Sequence, residues 1–413
     1  MSDPFGIERE ESIRRSGVRD IFTPHKPINS LNLFFGRTTE VRSLIEHLNT
    51  PGQHALLFGD RGVGKSSLAN IASELLLKRL ASGRFYKKRC DSTDTFKSIL
   101  AEPLSDVGVN IHLIESERRK AEGGKADVGI PGFGGGVHTT TENKSKERGL
   151  SSELESPGWV ASKLAKLDAL LLVDELDVLS DPSDRHKIAE LIKHLSDEGS
   201  PFKVLLVGIA ETGADLTDGH PSVERCLRET RLGRMSEPEL RQILDEGEKA
   251  LGLKFTPEAK TRIITVSSGY PHFTHLLALK AAEDAIAEGR KEIGVVNIEA
   301  ATRRAVDDSE GRLKRQYDEA CRSYGTDEYR RIVCAAALLG SEEFTAAALR
   351  EQYRILWGRN IDQNSLNNYF NRLVSDGGGT ILRRIAKGVY RFNDPRMPSF
   401  VRIANMAAMN VEQ

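Results

Sequence analysis

Eight consecutive residues, Gly59-Asp60-Arg61-Gly62-Val63-Gly64-Lys65-Ser66, constrain this chain more than any other segment. They follow a short apolar run, His54 to Phe58, that reads as a buried strand. They precede a helical pattern from about Lys65 to Leu80. A glycine-rich turn between strand and helix lets backbone N–H groups close around phosphate oxygens, and the helix N-terminus adds positive partial charge. In such a turn Gly59, Gly62, Val63, Gly64, Lys65, Ser66 and Ser67 would hold a nucleotide. Lys65 would reach the β- and γ-phosphates and the Ser66 hydroxyl would ligate Mg²⁺.

The apolar run Leu170 to Val173 ends in Asp174-Glu175. An acidic pair closing a buried strand suits the magnesium shell (Asp174) and the polarisation of an attacking water (Glu175). The alternative is a carboxylate pair that caps the next helix; Asp177, two residues on, reads as structural or as a helix cap. Strand patterns at Arg84–Asp91 and Val204–Ile209 alternate with helical ones, such as the stripe Ile188, Leu191, Ile192 and Leu195. Alternation of this kind predicts an α/β core with a parallel sheet. Hydrolysis also needs a cation at the transition state. Arg225 and Arg228 are candidates, and Glu211 or Thr212, just after the fourth strand, could sense the γ-phosphate.

The rest of the chain divides by pattern. Residues 1–30, charged and then punctuated by Pro24 and Pro27, read as an extended N-terminal arm before a core over 31–235. A glycine-rich, polar stretch at 116–150 reads as a flexible insertion with too few apolar residues to repay ordering. Ser236 and Glu239 form a capping-box signal that opens a wholly helical lid over 236–323, its last helix expected at 297–322. In 324–413, three helices, the last near 362–375, precede two short strands around Gly388: a winged helix-turn-helix pattern. The candidate recognition helix carries Asn364, Asn367, Asn368, Asn371 and Arg372, and asparagine can pair with adenine through two hydrogen bonds. The wing offers Arg383, Arg384, Lys387 and Arg391 as phosphate partners. Protein docking is the alternative use of such a module.

Composition sets outer limits. The 413 residues are 29% charged and balanced, with 59 Lys+Arg against 60 Asp+Glu, so a nucleic-acid site must be a local patch. No apolar run is long enough to span a membrane. The N-terminus shows no secretory signal, and four cysteines without a CxxC pair read as reduced thiols in a cytoplasmic protein.

Together Phe34-Phe35-Gly36-Arg37, the glycine turn, Leu171-Leu172-Val173-Asp174-Glu175-Leu176-Asp177 and Gly269-Tyr270-Pro271 resemble AAA+ ATPases of the origin-recognition and STAND-related group. The resemblance covers roughly 31–310 and, with the winged helix, extends to about 400. It implies an AAA+ type P-loop core, an all-α lid and ATP as cofactor. Further, it implies that Arg37 lines the adenine side, Thr212 sits near the sensor-1 position, Arg225 near the arginine-finger position, and Pro271 touches base or ribose. A sensor-2 arginine is missing after Gly269; either His272 or His275 partly substitutes, or the role is absent. Two functions follow from the resemblance. One is a DNA-associated ATPase that couples nucleotide state to duplex DNA and works as a homo-oligomer or with a partner protein. The other is a slow STAND-like switch or scaffold that recruits a protein, as in bacterial defence. A metabolic kinase is disfavoured because no acceptor-substrate domain is apparent.

Overall fold

The computed structural model describes residues 7–78, 83–109, 153–209, 221–308, 311–323, 325–374 and 380–409. The chain forms two compact units: Thr38–Gly59 with Lys65–Leu232, and Met1–Arg37 with Asp60–Gly64 and Gly233–Gln413.

The first unit is built on five parallel strands in the order β2-β3-β4-β1-β5. They are β1 (His54–Gly59), β2 (Arg84–Arg89), β3 (Ala169–Asp174), β4 (Lys203–Gly208) and β5 (Leu227–Leu232). The three inner strands are apolar along their length, as a sheet buried on both faces requires. Residues of one parity, among them Leu56, Leu171, Val173, Val204 and Leu206, share a core with α5 (Phe96–Asp106), α6 (Pro157–Leu164) and α7 (Pro182–Asp197). The opposite parity, including Leu57, Leu170, Leu172 and Leu205, is equally buried. Helices α3 (Thr38–Asn49) and α4 (Lys65–Leu77) pack on the sheet as well. Both edge strands are charged: Arg84, Lys87 and Arg89 on β2, Arg228, Glu229 and Arg231 on β5, all exposed except Thr230 and other alternates between them. Charged edges resist pairing with another sheet. Strand β5 was not legible, because its burial is confined to Leu227 and Leu232 at its ends.

The second unit gathers the arm, the lid and the C-terminal module. The arm is not extended as its prolines suggest. It forms α1 (Ile7–Ser16) and the short α2 (Val18–Ile21), with Ile13, Val18 and Phe22 buried. These side chains fold the arm into helices, and the prolines at 24 and 27 lie beyond them. The lid comprises α8 (Glu237–Leu251), α9 (Pro257–Ser267), α10 (Pro271–Ala287), α11 (Val295–Asp308) and α12 (Gly311–Cys321), with a two-stranded parallel pair, β6 (Lys254–Phe255) and β7 (Glu292–Ile293). The single helix expected at 297–322 is thus two helices, α11 and α12. The capping box at Ser236 and Glu239 is formed as its sequence predicts.

The C-terminal module has α13 (Glu328–Leu338), α14 (Ala346–Trp357), α15 (Gln363–Leu373) and an antiparallel sheet ordered β8-β10-β9, with β8 (Glu343–Thr345), β9 (Leu382–Ala386) and β10 (Val389–Phe392). This is a winged-helix arrangement. Gly388 turns the wing at φ 77°. A last helix, α16 (Met397–Met409), packs against α11 and α13. Arg402 of α16 donates to the Ala337 carbonyl at 2.9 Å through Nε. The insertion at 116–150, together with Glu211 and Thr212, lies outside the described residues.

Candidate nucleotide-binding site

The phosphate-binding turn leaves the C-terminal end of β1. Its three glycines are needed. Gly59 (φ 152°), Gly62 (φ 81°) and Gly64 (φ 99°) occupy conformations that side chains rarely adopt. A Cβ on Gly59 would also lie 2.3 Å from the Leu232 carbonyl oxygen. The Lys65 ammonium donates to the Gly59 carbonyl at 2.8 Å. Asp174 ends β3 at the same end of the sheet. Only β4 separates β3 from β1, so the two chain ends are about 10 Å apart at ordinary strand spacing. Asp174 is 6% exposed, and its Oδ1 accepts from the Glu175 N–H at 3.0 Å.

Glu175 adopts φ 59°. A glutamate in the left-handed region is uncommon and strained, and such residues cluster at functional sites. Its carboxylate is held by Arg89, which sits beside Asp174 in the β2–β3 register. The Arg89 Nε donates to Oε2 at 3.0 Å and Nη2 to Oε1 at 2.7 Å. This clasp on the candidate base was missed in sequence, because only the parallel register brings residues 86 positions apart together. Hydrogen bonding to Glu175 raises the Arg89 pKa above its usual value.

Arg37 also has positive φ, 58°, and is 5% exposed. Its N–H donates to Glu239 Oε1 at 3.0 Å and its Nη2 to the Gly233 carbonyl at 2.6 Å. Burial pushes the Glu239 carboxyl up, but bonds from Ser236 and Arg37 outweigh it and hold the group below the usual carboxylate range. Arg37 thus anchors the end of the arm to the first turn of the lid.

On the lid side, Pro271 Cγ lies 3.8 Å from where a Cβ on Gly64 would stand, and His272 Cβ 3.8 Å from that of Gly62. His275 does not take up a sensor-2 role. It is fully buried, its Nδ1 accepts from the Thr23 N–H at 3.2 Å, and burial pushes its pKa down to about 4, so it is neutral. A cation that sequence reasoning missed stands closer. Arg396, in the turn between β10 and α16, places Cδ 3.1 Å from the Cβ position of Gly62. It is 4% exposed and pairs with Asp394 through Nε (3.1 Å) and Nη2 (2.9 Å). The Tyr270 hydroxyl lies 2.8 Å from the Pro395 carbonyl and 3.3 Å from Asp60 Oδ2, and it accepts from Arg234 Nε at 3.1 Å.

Arg225 pairs with Asp197 at 2.6 Å. It precedes β5, whose first residue, Leu227, pairs with His54 at the start of β1. Arg225 therefore lies at the opposite end of the sheet from Gly59, about 20 Å away at strand rise. It cannot serve its own phosphate turn.

In the winged helix, Asn364, Asn367, Asn368 and Asn371 are exposed on α15, as are Arg384 and Lys387 on the wing; Arg383 is half-buried. Arg372 is engaged internally. Its guanidinium lies 4.4 Å from the Tyr329 ring centroid and donates to the Glu319 carbonyl at 3.2 Å and to that of Arg322. All four cysteines are free thiols, and burial pushes Cys90 and Cys321 up to about 12 and Cys334 to about 11. Among the described residues no cluster of three His, Cys, Asp or Glu could hold a metal, and no helix is long and apolar enough to cross a membrane.

A parallel sheet of order β2-β3-β4-β1-β5, with a phosphate turn after β1 and an acidic pair after β3, defines a P-loop ATPase of the AAA+ kind. The chain belongs to the family described as Novel STAND NTPase 1, whose model matches residues 28–334. It is similar in chain course to several solved structures. A Walker-type ATPase of Pyrococcus abyssi is 18% identical and covers 92% of this chain and 99% of its own, with a TM-score of 0.47. The ORC1 protein of Aeropyrum pernix in complex with DNA is 16% identical, covering 96% and 98% at a TM-score of 0.45. The RuvB Holliday junction branch migration motor of Thermotoga maritima is 16% identical, covering 88% and 95% at 0.43. Comparison with curated proteins found no match.

Proposed function

We propose that the protein binds and hydrolyses MgATP at the phosphate turn and couples nucleotide state to engagement of duplex DNA by its winged helix. One observation carries the coupling. The turn Asp394-Pro395-Arg396 leads directly off wing strand β10, and it rests on Gly62 of the phosphate loop and on Tyr270 of the lid. A nucleotide that reshapes the loop around Gly62 would press on the segment that carries the wing. A nucleotide that binds one conformation of this loop better than another would shift the wing with it.

Ser66 and Asp174 supply hard oxygen donors, the kind Mg²⁺ takes. Lys65 would neutralise the β- and γ-phosphates, and Pro271 would face the base or ribose. Glu175 would take a proton from water as the water oxygen bonds to the γ-phosphorus and the bond to the β,γ-bridging oxygen breaks. Arg225, remote from its own turn, would act only on a neighbouring copy, which makes a homo-oligomer the working form. Thr212 remains the candidate γ-phosphate reader. Asn364, Asn367, Asn368 and Asn371 would meet base edges, with Arg383, Arg384 and Lys387 on phosphates. A cytoplasmic location suits the four reduced thiols.

The Arg89–Glu175 clasp favours a second reading: a slow ATP switch that recruits a protein partner. A base held by a guanidinium is a poor proton acceptor, and Arg372 is spent inside the fold rather than offered to DNA. Steady-state ATP turnover with and without duplex DNA separates the two. DNA-stimulated turnover, lost by at least about 100-fold in Glu175→Gln, is the expected result. Turnover near zero in both conditions, with nucleotide retained through purification, would sink the DNA-coupled reading in favour of the switch.

A further inference from the structure

The N-terminal arm ends against the first turn of α10 in the lid. Phe22 is 1% exposed, stands edge-on to Phe255 and His275, and fills a notch that exists only because residue 247 is glycine. A Cβ on Gly247 would lie 2.3 Å from Phe22 Cζ. Ion pairs brace the same seat: Arg19 to Glu283 at 2.8 Å and Arg9 to Asp284 at 2.8 Å. From Phe22 the chain runs straight onto both lid histidines. The Thr23 N–H donates to His275 Nδ1, and the Pro24 carbonyl lies 2.9 Å from His272 Nδ1.

A carbonyl only accepts, so His272 must carry its proton on Nδ1. The Pro24 carbonyl of the arm therefore holds the His272 ring through its Nδ1 proton. That residue lies in the first turn of α10, next to Pro271, with its Cβ 3.8 Å from the Cβ position of Gly62 in the phosphate loop. A partner's hydrogen bond to one ring nitrogen decides what the other can offer a ligand.

We propose that the arm is a positioning element of the nucleotide site: seated by Phe22 in the Gly247 notch, it holds His272 in the orientation that meets the bound nucleotide. Nucleotide affinity then depends on how the arm is seated. The proposal deepens the site reading above and rests on it.

The test uses the full chain and the fluorescent analogue mant-ATP with Mg²⁺. Gly247→Ala is the gentlest probe, because alanine is the better helix former and the added methyl acts only by displacing Phe22. Gly247→Ala, Phe22→Ala and His272→Ala should each raise the Kd about tenfold. The double variant Gly247→Ala/His272→Ala should be no worse than His272→Ala alone, since the arm acts through that ring. If Gly247→Ala and Phe22→Ala lower Tm yet bind mant-ATP like the unmodified protein, the arm is a structural strap and the proposal falls. Effects that multiply in the double variant overturn it too. Lys65→Ala tells the parent reading apart: if it binds as the unmodified protein does, the nucleotide site itself is wrong, and the arm's role in it goes with it.

Discussion

At the residue scale, Arg89 and Glu175 form the contact with the clearest kinetic consequence. Both side chains are well exposed, 67% and 41%, so the pair contributes little to stability, about 0–1 kcal/mol. Its effect falls on the carboxylate proposed as the base. A carboxylate that accepts two guanidinium hydrogen bonds is a weaker proton acceptor and is turned towards β2. Arg89→Ala is therefore expected to raise kcat several-fold while leaving Tm within about 1 °C. Turnover that drops in this variant would instead make Arg89 part of the catalytic machinery. The glycines, Lys65, Ser66 and the acidic pair were legible because each is a residue type dictated by phosphate or metal chemistry at fixed spacing. Arg89 and Arg396 were not. Both are arginines among many, and only strand register or the fold of the C-terminal turn brings them to the site.

Among elements, the winged helix is where sequence and structure part most usefully. The hairpin and its three helices are visible in the pattern of apolar residues, since Leu366, Phe370 and Leu373 mark the buried face of α15. The two-residue pairs β6 and β7 were not visible, because strands that short have no periodicity to read. Nor could sequence show that Arg372 stacks on Tyr329 and ties α15 to the end of α12. Its neighbours Asn364, Asn367, Asn368 and Asn371 stay exposed, as do Arg384 and Lys387 on the wing. If duplex DNA is their ligand, Arg384→Ala with Lys387→Ala should reduce the slope of log affinity against log salt by roughly 2, at about one unit per lost phosphate contact. An unchanged slope would remove the wing from the interface.

For the whole molecule, each compact unit carries its own buried neutral histidine. In the sheet unit, His54 accepts from the Val204 N–H at 3.1 Å, and burial, then the nearby Lys203 charge, pushes its pKa down to about 3. His275 in the other unit is lowered to about 4. In the unfolded chain both titrate near 6.5. The unfolded state then binds more protons below that pH, so stability is fully present above 6.5 and is lost as pH falls towards the folded values. Each histidine contributes up to about 1.4 kcal/mol per pH unit in that window. Calorimetry should show Tm falling between pH 7 and 5, with a shallower fall in His275→Gln. A flat profile over that range would mean the two rings are not held neutral. The α/β organisation was readable from alternating patterns, but the assembly of arm, lid and winged helix into one unit was not. That grouping depends on Phe22, Arg402 and other contacts between residues far apart in sequence.

Arg37 and Glu175, one in the arm unit and one ending a central strand, are held at φ 58° and 59° without being glycine. Each left-handed side-chain residue costs about 1–2 kcal/mol that glycine would relieve. At Glu175, whose side chain is 41% exposed, thermal tolerance and the proposed chemistry therefore pull in opposite directions, whereas at Arg37 the side chain's own bond to the Gly233 carbonyl offsets the strain. A library selected only for survival at high temperature would drift to glycine at 175, giving a sturdier protein without the carboxylate proposed as the base, while the buried and bonded Arg37 would be kept.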